Sequence, residues 1–271
     1  MAEPAVLEPG AEMPSLTAAR WTGFVTIIIR EYSRIVRIWG QTLVPSAVTA
    51  ILYFVIFGSL IGRRVGQMGG FDYTQYIAPG LIMMSVITNS YSNSVSSFFG
   101  AKFGKHIEEL LVSPLPNWII VAGYASGGLL RGLMVGCVVT IVSLIFAHLP
   151  VRHLGLIIAA VLLTAMSFSL GGLINAVFAK NFDQVNWIPA FVLTPLTYFG
   201  GVFYSVSMLP PWARTLSHIN PILHMVNAFR YGFLGVSDVS VPGAFLIMVA
   251  LVTVLFLTAL ILMNRGVGIR D

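Results

Sequence analysis

The residues of this 271-residue chain that could do chemistry are few and far apart. His106, His148, His153, His218 and His224 are scattered, and no HExxH pair or nucleophile elbow is present to build a zinc or acyl-transfer centre. Glu108, Glu109, Asp183 and Asp238 fall in connections between long apolar stretches, so no carboxylate pair shares an apolar setting. The pattern names no catalytic residue and no metal ligand. A different chemistry remains, that of polar groups at helical spacing inside apolar sequence. Ser85, Asn89, Asn93 and Ser96 share one helical face, and Asn175 poses the same question in a later stretch. In lipid such groups need partners, so they either hydrogen-bond between helices or line a transport path. Arg131 is the costliest of them, since an arginine at the centre of a membrane helix costs about 2.5–3.5 kcal/mol. It has to snorkel, find backbone carbonyls or line a hydrated cavity.

The elements that position these groups are six apolar stretches, at 42–61, 76–99, 118–147, 154–178, 186–206 and 241–263. Twenty helical residues rise about 30 Å, the thickness of a bilayer's hydrocarbon core, so each stretch is long enough to cross. The fold class expected is an all-α polytopic membrane protein with six transmembrane helices. Composition agrees: hydrophobic residues make up 57% and charged residues 9%, against about 25% charged in soluble domains. The net charge of +5 points to membrane topology rather than nucleic acid, because the basic residues flank apolar segments. A single cysteine, Cys137, excludes an intrachain disulfide.

Residues 1–16 read as a disordered cytoplasmic tail and 17–271 as a single transmembrane domain. Within 17–41, Trp21, Phe24, Ile27, Ile28, Ile35 and Ile38 recur at helical spacing, with Arg30, Glu31, Arg34 and Arg37 on the other side. This predicts an amphipathic interface helix on the inner membrane surface, its arginines toward lipid phosphates. Arg20, Arg30, Arg34, Arg37, Lys102, Lys105, Lys180, Arg265 and Arg270 outnumber Arg63, Arg64, Arg152, Arg214 and Arg230 on the opposite side, which puts both termini in the cytoplasm.

Gly123–Gly127 and Gly128–Gly132–Gly136 form two four-residue ladders on the third stretch, where another backbone can approach closely. The connection 100–117 predicts a short helix from Lys102 to Val112, stopped by Pro114 and Pro116. Its Gly100–Lys105 run falls short of a phosphate loop: three residues separate the glycines, and His106 stands where a hydroxyl is required. In 207–240, Pro210-Pro211 opens one helix and Asn220-Pro221 a second, running to about Gly235, which fits a re-entrant hairpin in the outer leaflet.

Residues 107–115 (IEELLVSPL), with Gly200-Gly201-Val202-Phe203, Leu209-Pro210, Asn220-Pro221 and Ala228-Phe229-Arg230, carry a resemblance. The chain resembles the membrane (permease) subunit of type-2 ABC transporters, the bacterial exporter family. The resemblance implies that Glu108, Glu109, Leu110, Leu111 and Pro114 form the coupling helix that meets the ATP-binding subunit, with Arg30 and Arg34 of the interface helix moving alongside. It implies an external hairpin carrying Pro210, Asn220, Pro221 and Arg230. It further implies a two-plus-two complex of two permease copies, expected to be a homodimer, and two ATPases in the bacterial inner membrane. ATP and Mg²⁺ would bind the partner, with no cofactor in this chain. Ser85, Asn89, Asn93, Asn175 and Arg131 are then candidates for the translocation path of an exported amphiphile such as a drug, a lipid or a lipid-linked glycan. The alternative is an ion-coupled secondary carrier working without an ATPase, which would need a carboxylate at membrane depth.

Overall fold

The structure, a computed structural model, describes residues 16–107, 112–113 and 115–268. Residues 1–15 of the tail read over 1–16 lie outside the described residues, as do the coupling residues Glu108, Glu109, Leu110, Leu111 and Pro114 and also Arg270. The rest is mostly helical, with one small hairpin and short non-helical connections. In chain order the helices are α1 (Leu16–Arg37), α2 (Trp39–Val65), α3 (Tyr73–Phe103), α4 (Asn117–Phe146), α5 (Leu154–Phe178), α6 (residues 182–198), α7 (Pro211–Ile219), α8 (Pro221–Leu234) and α9 (Val241–Arg265). Between α2 and α3, β1 (Gln67–Met68) pairs antiparallel with β2 (Phe71–Asp72).

Four of these helices, α2, α4, α5 and α9, are long and apolar enough to cross a membrane. The 31-residue α3 has the length, about 46 Å at 1.5 Å per residue, but its serines and asparagines dilute its hydropathy. α3 is nevertheless the centre of the molecule, with α4 and α5 packed along it and α8 against its N-terminal half. α6 ends at Tyr198, short of the predicted 206. Beyond it, Gly201 takes a left-handed φ of 68°, and Gly200 lies so close to Ile222 that a side chain there would collide, so the chain turns back under α8. α2 and α6 each contain a π-helical stretch, Phe54–Ile61 and Pro189–Leu193, where the hydrogen-bond ladder is loosened.

The helix expected at the interface is present as the amphipathic α1, and its buried side meets protein. It runs parallel to α4. Ile27 sits over Gly123 and Glu31 over Gly127, each so close that a methyl group on the glycine would have no room. The first glycine ladder thus receives α1 and buries Glu31, while Trp21, Ile29, Tyr32 and Val36 stay exposed on the far side. The second ladder receives α3: Gly128 and Gly132 abut Ser90 and Ser94, and Gly136 meets Val86. The short helix expected from Lys102 starts later: α3 runs through Phe103, a turn at Gly104-Lys105 follows, and His106, Ile107 and Val112 are helical.

The proline-led helices read in 207–240 are present as α7 and α8. They differ in burial. α7 exposes Trp212, Leu216 and Ile219, whereas α8 is buried nearly all round against α3, α5 and α9. Asn220 joins them: its side chain accepts from the Ile222 N–H at 3.0 Å and donates to the Leu196 carbonyl of α6 at 2.6 Å.

Candidate functional site

The polar face of α3 is drawn into three settings. Toward α2, Asn89 donates to the Ser46 hydroxyl at 3.3 Å and to the Ser85 carbonyl at 3.0 Å. Ser85 and Asn89 line a groove of about 170 Å³ with Ser46, Thr49 and Tyr53 of α2. Toward α4 and α5, the Ser94 and Ser169 hydroxyls meet at 2.5 Å, and Ser169 donates to the Ala125 carbonyl at 2.7 Å. That setting is helix-to-helix bonding. Toward α1, Asn93 accepts from Arg34 at 2.9 Å and Ser97 donates to Glu31 at 2.6 Å.

The third setting is the most charged part of the described chain. Glu31 is only 1% exposed, and Arg34 pairs with it at 2.8 Å. Arg30, at 3.9 Å from Glu31, donates to the Tyr124 hydroxyl of α4 at 2.6 Å and lies over its ring. Arg131 follows Gly127 by one turn of α4, within electrostatic reach of Arg34. A cleft of about 450 Å³ opens here, lined by Arg30, Glu31, Arg34, Ser96, Ser97 and His106. The candidate path residues therefore separate. Ser85 and Asn89 face the α2 groove, while Asn93 and Arg131 belong with the α1 charges. Asn175 stands on the other side of α3, donating to the Val185 carbonyl at 3.1 Å and lining an apolar cavity of about 300 Å³ with Tyr91.

At the opposite end of α3, Arg230 is not a free loop charge. It is fully buried, donates to the Tyr76 carbonyl at 3.2 Å and the Gly201 carbonyl at 2.7 Å, and stacks 4.2 Å over the Tyr76 ring. Asp238 accepts from Ser205 at 2.7 Å, from the Val206 N–H at 3.0 Å and from the Tyr76 hydroxyl at 3.4 Å. This network clamps the turn after α6 to α3 and α8. Pro210 and Pro221 supply the breaks on either side of α7.

Sequence reasoning missed Glu31, Tyr124, Tyr76 and Asp238 as members of these clusters. A signal for Glu31 existed: the four-residue step from Ile27 to Glu31 matches that from Gly123 to Gly127.

A helical membrane architecture with a polar central helix is shared by several transporter classes, and comparison with known proteins narrows the choice. Residues 22–234 match the ABC-2 type transporter family. The chain belongs to that family. It is also similar to the "Inner membrane transport permease YadH" of Escherichia coli (strain K12), 53% identical over 93% of this chain and 98% of the relative. "Nodulation protein J" of Neorhizobium galegae is more distant, at 23% identity over 78% of this chain and 81% of that protein. For an ABC-2 chain, the α1 cluster and the α2–α3 groove are the two polar sites to explain.

Proposed function

We propose that this chain is the permease subunit of an ATP-driven exporter in the bacterial inner membrane, moving an amphiphile out of the cytoplasm or inner leaflet. The observation that carries the proposal is the family match, together with near end-to-end similarity to a protein named as an inner membrane transport permease. In this reading α2, α3, α4, α5, α6 and α9 are six spans with both termini cytoplasmic, and α7–α8 form a re-entrant hairpin from the outer side. Glu108, Glu109, Leu110, Leu111 and Pro114 form the coupling helix, which meets a separate ATP-binding subunit holding ATP and Mg²⁺. Arg30 and Arg34 lie beside the start of that connection and carry its movement into α3 and α4. Two permease copies and two ATPases make the transporter. The α2–α3 groove with Ser85 and Asn89 lies on the thinly covered side of the bundle, where α2 is mostly exposed, which suits a path completed by a second copy.

The alternative of an ion-coupled carrier has one observation to draw on, the buried carboxylate of Glu31. Its oxygens are already taken by Arg34 and Ser97, which leaves little coordination for a travelling ion. Isolation of the chain from its native membrane in mild detergent separates the readings. Recovery with an ATP-binding subunit in equal amount is the expected result. Recovery of the chain alone, with transport that survives ATP depletion, supports the carrier instead.

A further inference from the structure

We propose that the cleft between α1 and α3 is a binding site for a phosphate-bearing anion. Arg30 and Arg34 line it, Arg131 of α4 lies within electrostatic reach of Arg34, and the ion pairs that the two lining arginines make among the described residues are with Glu31 alone. The carboxylate offsets one of three positive charges. One of its oxygens accepts from Arg34 and the other from Ser97, with Arg30 3.9 Å from the latter, so a single negative charge is shared within the cluster.

Hydrogen-bond accounting gives the same answer independently. Arg34 Nε, Asn93 Nδ2 and Arg131 Nε are buried and have no acceptor. Arg34 can only donate, so the Asn93 oxygen must turn toward it, which leaves the Asn93 amide group as the orphan. All three orphans are N–H donors. Buried donors are rarely left unpaired, so what the cluster lacks is an acceptor carrying negative charge. The cleft beside them has about 450 Å³ of space, with Arg30 and Arg34 part-exposed at its wall and Ser96, Ser97 and His106 also lining it.

Position favours phosphate over a carboxylate. At about 46 and 45 Å, α3 and α4 each overrun a hydrocarbon core of about 30 Å. Ser96, Ser97 and Lys102 mark the overrunning end of α3, so the cleft stands near the head-group level of one leaflet. Several oxygens on one phosphorus also suit donors offered from both α1 and α3, and a guanidinium fork binds two of those oxygens at once. The source is either the head group of a membrane lipid or a soluble phosphate compound. The inference stands apart from the coupling reading, because it concerns what the cleft binds rather than what drives transport.

The test is calorimetric titration of the full chain, purified in neutral detergent with whatever subunits accompany it. Short-chain phosphatidylglycerol and inorganic phosphate are the two probes. Saturable binding of the lipid, weakened at least tenfold by Arg34→Gln or Arg131→Gln and unchanged by Arg63→Gln, supports a head-group site. Binding of inorganic phosphate with the same arginine dependence supports a soluble ligand at the same site. Asn93→Asp guards against misfolded variants: it keeps every cation and places an anion beside Arg34, so binding should vanish while the melting temperature holds. If neither probe binds, or if Asn93→Asp and the arginine variants bind as the parent does, the orphan donors are satisfied by water alone and the proposal fails.

Discussion

Burial makes Arg230 and Glu31 decisive, although neither stands out by position in the sequence. Arg230→Leu would leave the Tyr76 and Gly201 carbonyls without their donor, at about 1–3 kcal/mol for each orphaned group. The expected outcome is a clear fall in melting temperature and in folded yield, with Arg230→Lys intermediate because one ammonium cannot serve both carbonyls and the Tyr76 ring. Glu31→Gln keeps the shape over Gly127 but removes the charge facing Arg34. Arg34 is about one third exposed and can rehydrate, so the cost should fall between the roughly 1 kcal/mol of a surface pair and the roughly 3–5 kcal/mol of a fully buried one. A double-mutant cycle with Arg34→Gln, read by thermal melting, measures it; additive effects would mean that the pair contributes nothing.

At the scale of the elements, α4 is a two-sided packing surface. One glycine ladder takes α1 and the other takes α3, so the helix that anchors the charged cluster also sets how deep it lies. Gly128→Ala would push a methyl group into Ser94, Ser169 and the Ser90 carbonyl, and overpacking of that kind costs about 1–3 kcal/mol. Gly40→Ala, where nothing lies within 4 Å, should leave stability unchanged or slightly improved. Equal melting temperatures for the two variants would contradict the close approach of α3. The loosened ladders of α2 and α6 belong to the same scale: both lie on helices with long exposed faces, where a register change disturbs the core least.

For the molecule as a whole, the bundle divides into a core of α3, α4, α5 and α8 and a sparsely covered outer set of α2, α6 and α9. That division suits a subunit whose moving parts meet lipid or another chain while its core stays fixed. Glu108→Ala combined with Glu109→Ala should uncouple ATP hydrolysis from transport while membrane insertion and yield stay normal, since both side chains lie in a connection and not in a span. Parental transport by that double variant would remove the coupling role from these residues.

The sequence by itself determined that this is a helical membrane protein, that α7 and α8 begin at prolines, and that α4 offers glycine faces to its neighbours. Those features are local. Apolar run length, proline's missing donor and glycine's missing side chain act within a few residues, and the sequence displays them directly. The resemblance to type-2 ABC permeases was legible for the same reason, because its motifs are short and continuous. Only the tertiary structure decided which partner each polar group would find. Arg230 reads as a loop charge until Tyr76, 154 positions away, is seen beneath it. Glu31 reads as a surface acid until α1 is laid along α4. In hydrocarbon a polar group's cost depends on the nearest donor or acceptor in space, and that neighbour is set by helix packing rather than by distance along the chain.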